Sequence, residues 1–367
     1  MRIGFPHFGN IYIALKAVAR RFESSGDVLI TPPPMTQQTL DLGVKYSPAE
    51  ACLPYKLTLG SLIEACDLGA DNLIQARGTG ICRLGYYAKG QEQMLRDLNY
   101  AAHFLTVDIS HHKFISIMRL MRDVTHNRPW HEIISSFFFA IGKLSALDRI
   151  EKVVHKIRAV ELEKGTASRI YRKAITSIDE AMIGKEVKGL TKEYIEKLNR
   201  VPKDITAEPL KVGIIGEIYV VIEPFANMDI EIELGKLGIE VERTLTISRW
   251  VKYSLFLNYL GLDEWRKVHK LAHAYLDHDI GGDGWESVGE KVLYARNGFD
   301  GIIHLAPFTC MPEIVAENIM PSTKEDIPVL AVTCDEQQSK QGMLTRLEAF
   351  TDLISFRRRR REHGRRI

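Results

Sequence analysis

Apolar and polar residues alternate in blocks along the first 128 positions. "MRIGFP" is a short apolar run closed by Gly and Pro. "NIYIALKAVARRFESSG" spaces its apolar residues as a helix does, up to Gly26, and "DVLIT" is a second run stopped by Pro32–Pro34. "LPYKLTLGSLIEACDLGA" then reads as a helix, "DNLIQA" as a strand, "EQMLRDLNYAAH" as a helix and "FLTVDIS" as a strand. Short apolar runs alternating with longer 3.6-period segments predict a parallel sheet with helices on its faces.

The pattern changes near Pro129. Down to about residue 208 the chain is helical and charged, as in "IGKLSALDRIEKVVHKIRAVELEKG" and "LTKEYIEKLNRV". The α/β pattern then returns with "LKVGIIGEIYVV", "FDGIIHLAPF", "IPVLAVTCDE" and a closing helix "GMLTRLEAFTDLISF". The expected organisation is therefore an N-terminal α/β lobe over 1–128, a helical bridge over 129–208, a C-terminal α/β lobe over 209–356 and a basic disordered tail over 357–367. Both lobes are expected to carry parallel sheets, as distant copies of one architecture.

Composition adds limits. Hydrophobic content of 45% with 26% charged residues is that of a water-soluble globular chain. No apolar run approaches the ~18 residues of a span, and the start lacks a basic n-region followed by an apolar h-region. A cytoplasmic protein is expected, without a membrane partner. The net charge is +2, but "RRRRREHGRRI" holds seven arginines and one glutamate, or +6, which leaves about −4 on the rest. That tail lacks interleaved aromatics, so no nucleic-acid partner is expected. No G-x-x-x-x-G-K-[ST] loop is present to cradle ATP.

Five cysteines in 367 residues do not make a disulfide scaffold; they are free thiols or metal ligands. Ligands of an open α/β sheet sit beyond the carboxyl ends of its strands. Cys82 follows the strand "DNLIQA", Cys310 follows "DGIIHL", Cys334 directly follows "IPVLAV", and Cys52 opens a helix; Cys66 lies within a helix. No C-x-x-C pair exists, which argues against a zinc ribbon. Soft thiolates on Pro- and Gly-rich loops suit an iron–sulfur cluster. Free cysteines are also among the most buried residue types, so spacing alone leaves both readings open.

"CLPYK" around Cys52, "ARGTGICRLGYY" around Cys82, "GIIGEIY" with Glu217, "HLAPFTCMPE" around Cys310 and "DEQQSKQGMLTRLEAF" together resemble the 2-hydroxyacyl-CoA dehydratase component family, in its acyl-CoA dehydratase activase-related branch. The likeness runs over about residues 1–356. It implies two flavodoxin- or Rossmann-like lobes joined by helices, with the site in the cleft between them. It implies that Cys52, Cys82 and Cys310 hold a [4Fe–4S] cluster. It further implies an ATP-dependent iron–sulfur activator protein as electron donor, an acyl-CoA substrate, and work alone, as a homodimer or beside a sister subunit. The alternatives are an accessory or electron-relay subunit, and a cluster-free α/β ligand-binding protein. Five cysteines exclude a six-thiolate cluster within one chain.

Further residues follow from position. Arg77, Arg83 and Tyr86 flank Cys82, where they either tune the cluster or anchor the loop. Cys334 is either a fourth ligand or a buried small residue. Glu217 and Glu313 are candidate catalytic carboxylates; either could instead cap the helix that follows. Asn227 is expected to N-cap the helix after it. "HKLAH" fails the H-E-x-x-H pattern and reads as a solvated helix face.

Overall fold

The computed structural model describes residues 1–22, 27–78, 82–108, 113–252 and 265–364. The helix end expected at Gly26 and residues 79–81 of the loop before Cys82 lie outside them. The chain divides into two compact units. The first is Met1–Ser145 with Met182–Gly184 and a segment beginning at Ile247. The second is Ala146–Ala181, Lys185–Thr246 and the chain from the end of that segment to the C-terminus.

Each unit is built on one four-stranded parallel sheet. In the first, β1 (Arg2–Gly4), β2 (Val28–Ile30), β3 (Asn72–Arg77) and β4 (His103–Asp108) lie in the order β2-β1-β3-β4. In the second, β5 (Leu210–Gly216), β6 (Ile239–Arg243), β7 (Gly301–Pro307) and β8 (Val329–Cys334) lie in the order β6-β5-β7-β8. Renumbered within its unit, each order is 2-1-3-4, the opening of the flavodoxin-like arrangement. The expected mixed α/β class with parallel sheets is thus observed twice over. Each sheet has its switch point beside its third strand, between β1 and β3 in one and between β5 and β7 in the other.

The strands read as they do because helices cover the sheets. All of β7 is buried, as are five consecutive residues of β5, and such strands are continuously apolar rather than alternating. In the first unit Leu59, Leu62, Ile63, Leu73, Leu95 and Phe104 form one cluster; in the second, Ile215, Val288, Ile302, Ala316 and Met320 do. Each fully buried aliphatic side chain contributes roughly 1.5–3 kcal/mol relative to exposure. No helix among the described residues is long and apolar enough to cross a membrane.

The sequence reading missed the helix Gln37–Tyr46, which packs on the helix Leu53–Asp67. Their approach is backbone to backbone. A Cβ at Gly43 would stand 1.8 Å from the Lys56 carbonyl oxygen, and one at Gly60 1.9 Å from that of Thr39. Only glycine permits this contact, which fixes the helix that Cys52 opens.

Two boundaries are corrected. The expected bridge is helical, with helices at Trp130–Val160, Thr166–Glu180 and Gly184–Asn199, but the division between units falls inside the first of these, after Ser145. Of the expected disordered tail, 357–364 continue the helix Lys340–Gly364, and 365–367 lie outside the described residues. Arginine is a good helix former. Arg357 pairs with Asp326, and Arg358 pairs with Glu208 and Asp300 and donates to the Pro209 carbonyl.

Candidate metal centre

Three cysteines share one local design. Cys52 is the N-cap of the helix Leu53–Asp67, at φ −68° and ψ 156°. Cys82 is the N-cap of the short 3₁₀ turn Arg83–Tyr86, which leads into the helix Tyr87–Asp97, at φ −68° and ψ 131°. Cys310 is the N-cap of the helix Met311–Ile319, at φ −75° and ψ 101°. None makes a side-chain cap bond. Each sulfur thus stands at a helix start, where unpaired N–H groups and the dipole favour anionic sulfur. Cys82 and Cys310 also follow the third strand of their respective sheets, the strand that borders the switch point.

Prolines set two of these corners. Pro54 and Pro312 each stand two residues after a cysteine, in Cys-Leu-Pro and Cys-Met-Pro, within the first turn of the helix. A first-turn N–H has no intrahelical acceptor, so proline loses nothing there and presets φ. This repeated C-x-P was the available sequence signal for a shared design, and it was missed. Before Cys310, Thr309 has φ +65°, a left-handed conformation strained for a β-branched residue. Strain of about 1–3 kcal/mol is kept where a site demands it.

The Cys52 and Cys82 corners are tied together within the first unit. The Arg83 guanidinium donates to the Glu50 carbonyl at 2.8 Å, and Tyr87 OH lies 2.7 Å from Cys52 Sγ. Lys56, buried one turn after Cys52, donates to the Ala49 carbonyl at 3.2 Å. The Arg83 bond fits the anchoring role, one of the two weighed for it. Tyr86 is 73% exposed, and the tyrosine that reaches a thiol is its neighbour Tyr87. Arg77 is exposed at the end of β3.

The other two cysteines differ. Cys66 lies inside its helix, and burial, then Asp67, push its thiol up to about 11. Cys334 ends β8 with no exposure; burial, then Glu217 and Asp335, push it up to about 12. Neither stands at a helix start, and the full burial of Cys334 at a strand end fits the buried-small-residue alternative weighed for it.

A second constellation lies at the carboxyl ends of β5 and β7. Gly216 has φ +132°, and a Cβ there would stand 1.9 Å from the Leu305 carbonyl, so only glycine lets the chain turn against β7. Glu217 follows as N-cap of the helix Ile218–Ile222, accepting from the Val220 N–H at 3.1 Å. Burial pushes its carboxyl up to about 7; the Val220 and Tyr219 amides oppose this, and Glu313 adds to it. Asp283 accepts from the Ile218 N–H at 3.0 Å. Burial, then Glu286, Glu217 and Glu313, hold it well above the usual carboxylate range.

Glu313 is fully buried. Its Oε2 lies 2.7 Å from His304 Nε2 and accepts from Ser287 Oγ at 2.9 Å. It is the third residue of the Cys310 helix, so it pins that helix start to β7 rather than capping it. Asp229 holds the N-cap position of the helix Ile230–Lys236 without a side-chain cap bond, and the Asn227 Oδ1 accepts from the Ile230 N–H at 3.4 Å, so part of the capping expected of Asn227 is observed. The Asn227 amide also donates to the Val220 and Val221 carbonyls, closing the helix before it. Of the "HKLAH" histidines, His269 stacks on Trp285 and lies 2.8 Å from Glu286.

Glu151, His155 and Glu231 bring three potential metal donors together in the second unit. The cation there is already present. Arg243 pairs with Glu151 and Glu231 at 2.5 Å each, and Tyr171 donates to Glu151 at 2.8 Å. Burial would raise the Glu231 carboxyl, but Arg243 and then His155 hold it well below the usual range. The group is an ion-pair network centred on the Arg243 guanidinium, which takes the place a metal cation would have between the two carboxylates. Comparison of the whole chain with family models and with curated proteins finds no match.

Proposed function

We propose that this chain is an iron–sulfur protein of the kind its motifs resemble, with Cys52, Cys82 and Cys310 as ligands of a [4Fe–4S] cluster. An ATP-dependent iron–sulfur activator delivers the electron, and the chain uses or relays it in reductive chemistry on an acyl-CoA or another small substrate. A reducing cytoplasm suits such a cluster. The observation that carries this reading is the contrast in position among the five cysteines. Three stand at the N-cap of a helix or 3₁₀ turn, two of them with proline in the first turn, whereas Cys66 lies inside a helix and Cys334 ends a strand. The three fit the group, since cluster ligands are thiolates.

When bound, the cluster supplies an electron at low potential. The chain's own residues do the rest. The Cys-x-Pro corners hold the Cys52 and Cys310 sulfurs, the Arg83 bond to the Glu50 carbonyl ties the Cys82 turn to the Cys52 loop, the His304–Glu313–Ser287 contacts fix the Cys310 helix, and Glu217 is the carboxyl able to exchange a proton near pH 7. Anaerobic purification and reconstitution should give absorbance near 400 nm and about four irons per chain. Alanine at Cys82 should abolish the cluster, while alanine at Cys66 or Cys334 should leave it. Colourless, iron-free protein after reconstitution overturns the reading. Turnover of a 2-hydroxyacyl-CoA with activator and ATP then separates enzyme from electron relay.

A further inference from the structure

The Tyr87 hydroxyl lies 2.7 Å from Cys52 Sγ, and either atom could donate. We infer that Tyr87 is the donor, and that it is a positioning residue that hydrogen-bonds the Cys52 thiolate and raises the reduction potential of the group held there. This rests on the iron–sulfur reading above. A metal-bound thiolate has no proton to give, so once Cys52 is a ligand only the phenol can donate. Hydrogen bonds to cluster sulfurs stabilise the more negative, reduced state.

The geometry is held from several sides. Tyr87 is 5% exposed and is the first residue of its helix, five residues after Cys82. Its ring meets Tyr55 edge-on, with centroids 5.1 Å apart. Tyr55 belongs to the Cys52 helix, and Gly90 makes room for its ring: a Cβ there would stand 2.8 Å from the Tyr55 hydroxyl. The buried Gln91 amide donates to the Tyr55 carbonyl at 3.1 Å and to Thr58 Oγ1 at 2.8 Å, and its Oε1 accepts from Gln75 on β3. The helix after Cys82 is thereby locked to the helix after Cys52, and Tyr87 cannot turn its hydroxyl away without breaking that packing.

The test compares Tyr87→Phe with Tyr86→Phe, whose ring is exposed. In anaerobically reconstituted protein, an EPR-monitored redox titration should show the Tyr87→Phe cluster about tenfold harder to reduce at a given potential, a shift of about 59 mV downward for one electron. Tyr86→Phe should match the wild type. A loaded Tyr87→Phe cluster with the wild-type potential overturns the proposal. A second arm uses cluster-free protein at fixed neutral pH. Alkylation of Cys52 by iodoacetamide, read by peptide mass spectrometry with Cys310 as reference, should be several-fold slower in Tyr87→Phe. An equal or faster rate means the hydroxyl does not donate to the free Cys52 thiolate, and overturns the donor assignment in cluster-free protein. Wild-type protein that takes no iron defeats the iron–sulfur reading and the redox part of this proposal with it; a slowed alkylation still upholds the donor assignment on its own.

Discussion

Glu217 shows how one residue can be both structural and chemically available. Its carboxylate caps a helix, yet burial holds its proton up to about pH 7. The folded carboxyl then binds a proton that the unfolded one has lost above about pH 4.5. Stability should therefore fall as pH rises from about 4.5 through 7 and level off beyond, by roughly 3 kcal/mol from this group. Glu217→Gln keeps an oxygen for the Val220 amide and removes the charge. Denaturant melts of the two proteins across pH 4.5–8 should show a flatter profile for the variant. Parallel profiles would mean the Glu217 carboxyl is ionised throughout. The position of Glu217 after a strand was legible in sequence. Its altered acidity was not, because that depends on tertiary burial and then on Glu313, which lies 96 residues further along the chain.

Among the elements, the strands were the most legible, and the reason is physical. β7 and most of β5 are continuous buried apolar runs, and β3, β4 and β8 each carry a short run rich in apolar residues, so all five could be picked out in the sequence. The helix Gln37–Tyr46 was not visible, since it is mostly polar and held by glycine contacts rather than by an apolar stripe. The arginine-rich end was misread because charge runs are usually solvated, whereas here Asp300, Asp326 and Glu208 draw the helix onward. Helix-to-helix and helix-to-strand pairing also explains the Glu151–Arg243–Glu231–His155 network, which links the helix Trp130–Val160 to the helix Ile230–Lys236 and to β6. Arg243→Met should cost about 3–5 kcal/mol, because it strands two buried carboxylates. Replacing Arg243, Glu151 and Glu231 together by apolar residues should recover much of that loss. Urea titrations of both proteins read the difference, and an equal loss in each would show that desolvated charge is not the cause.

At the scale of the molecule, the candidate thiolate site was half legible. The order of the cysteine motifs and their strand-end positions could be read from the chain, and so could the exclusion of Cys66. The helix start at Cys52 was also legible, but those at Cys82 and Cys310 were not, because an N-cap is defined by φ and ψ and cysteine is not a usual capping residue. The Tyr87 contact lay one position from the Tyr86 that sequence singled out, since which of two adjacent tyrosines faces inward depends on where the 3₁₀ turn passes into the helix.

The division into units has a consequence for synthesis. The helix Ile247–Lys252 belongs to the first unit, where Val251 packs beside Phe22, Met118, Ile133 and Phe137. Domains usually fold from the N-terminus as they leave the ribosome. Here the first unit waits for the chain past residue 252, by which time β5 and β6 of the second have also emerged. Nascent chains stalled with 246 residues exposed should be cut by protease within residues 1–145, and those with the Ile247–Lys252 helix exposed should resist. No single cut in the gene yields two self-sufficient halves.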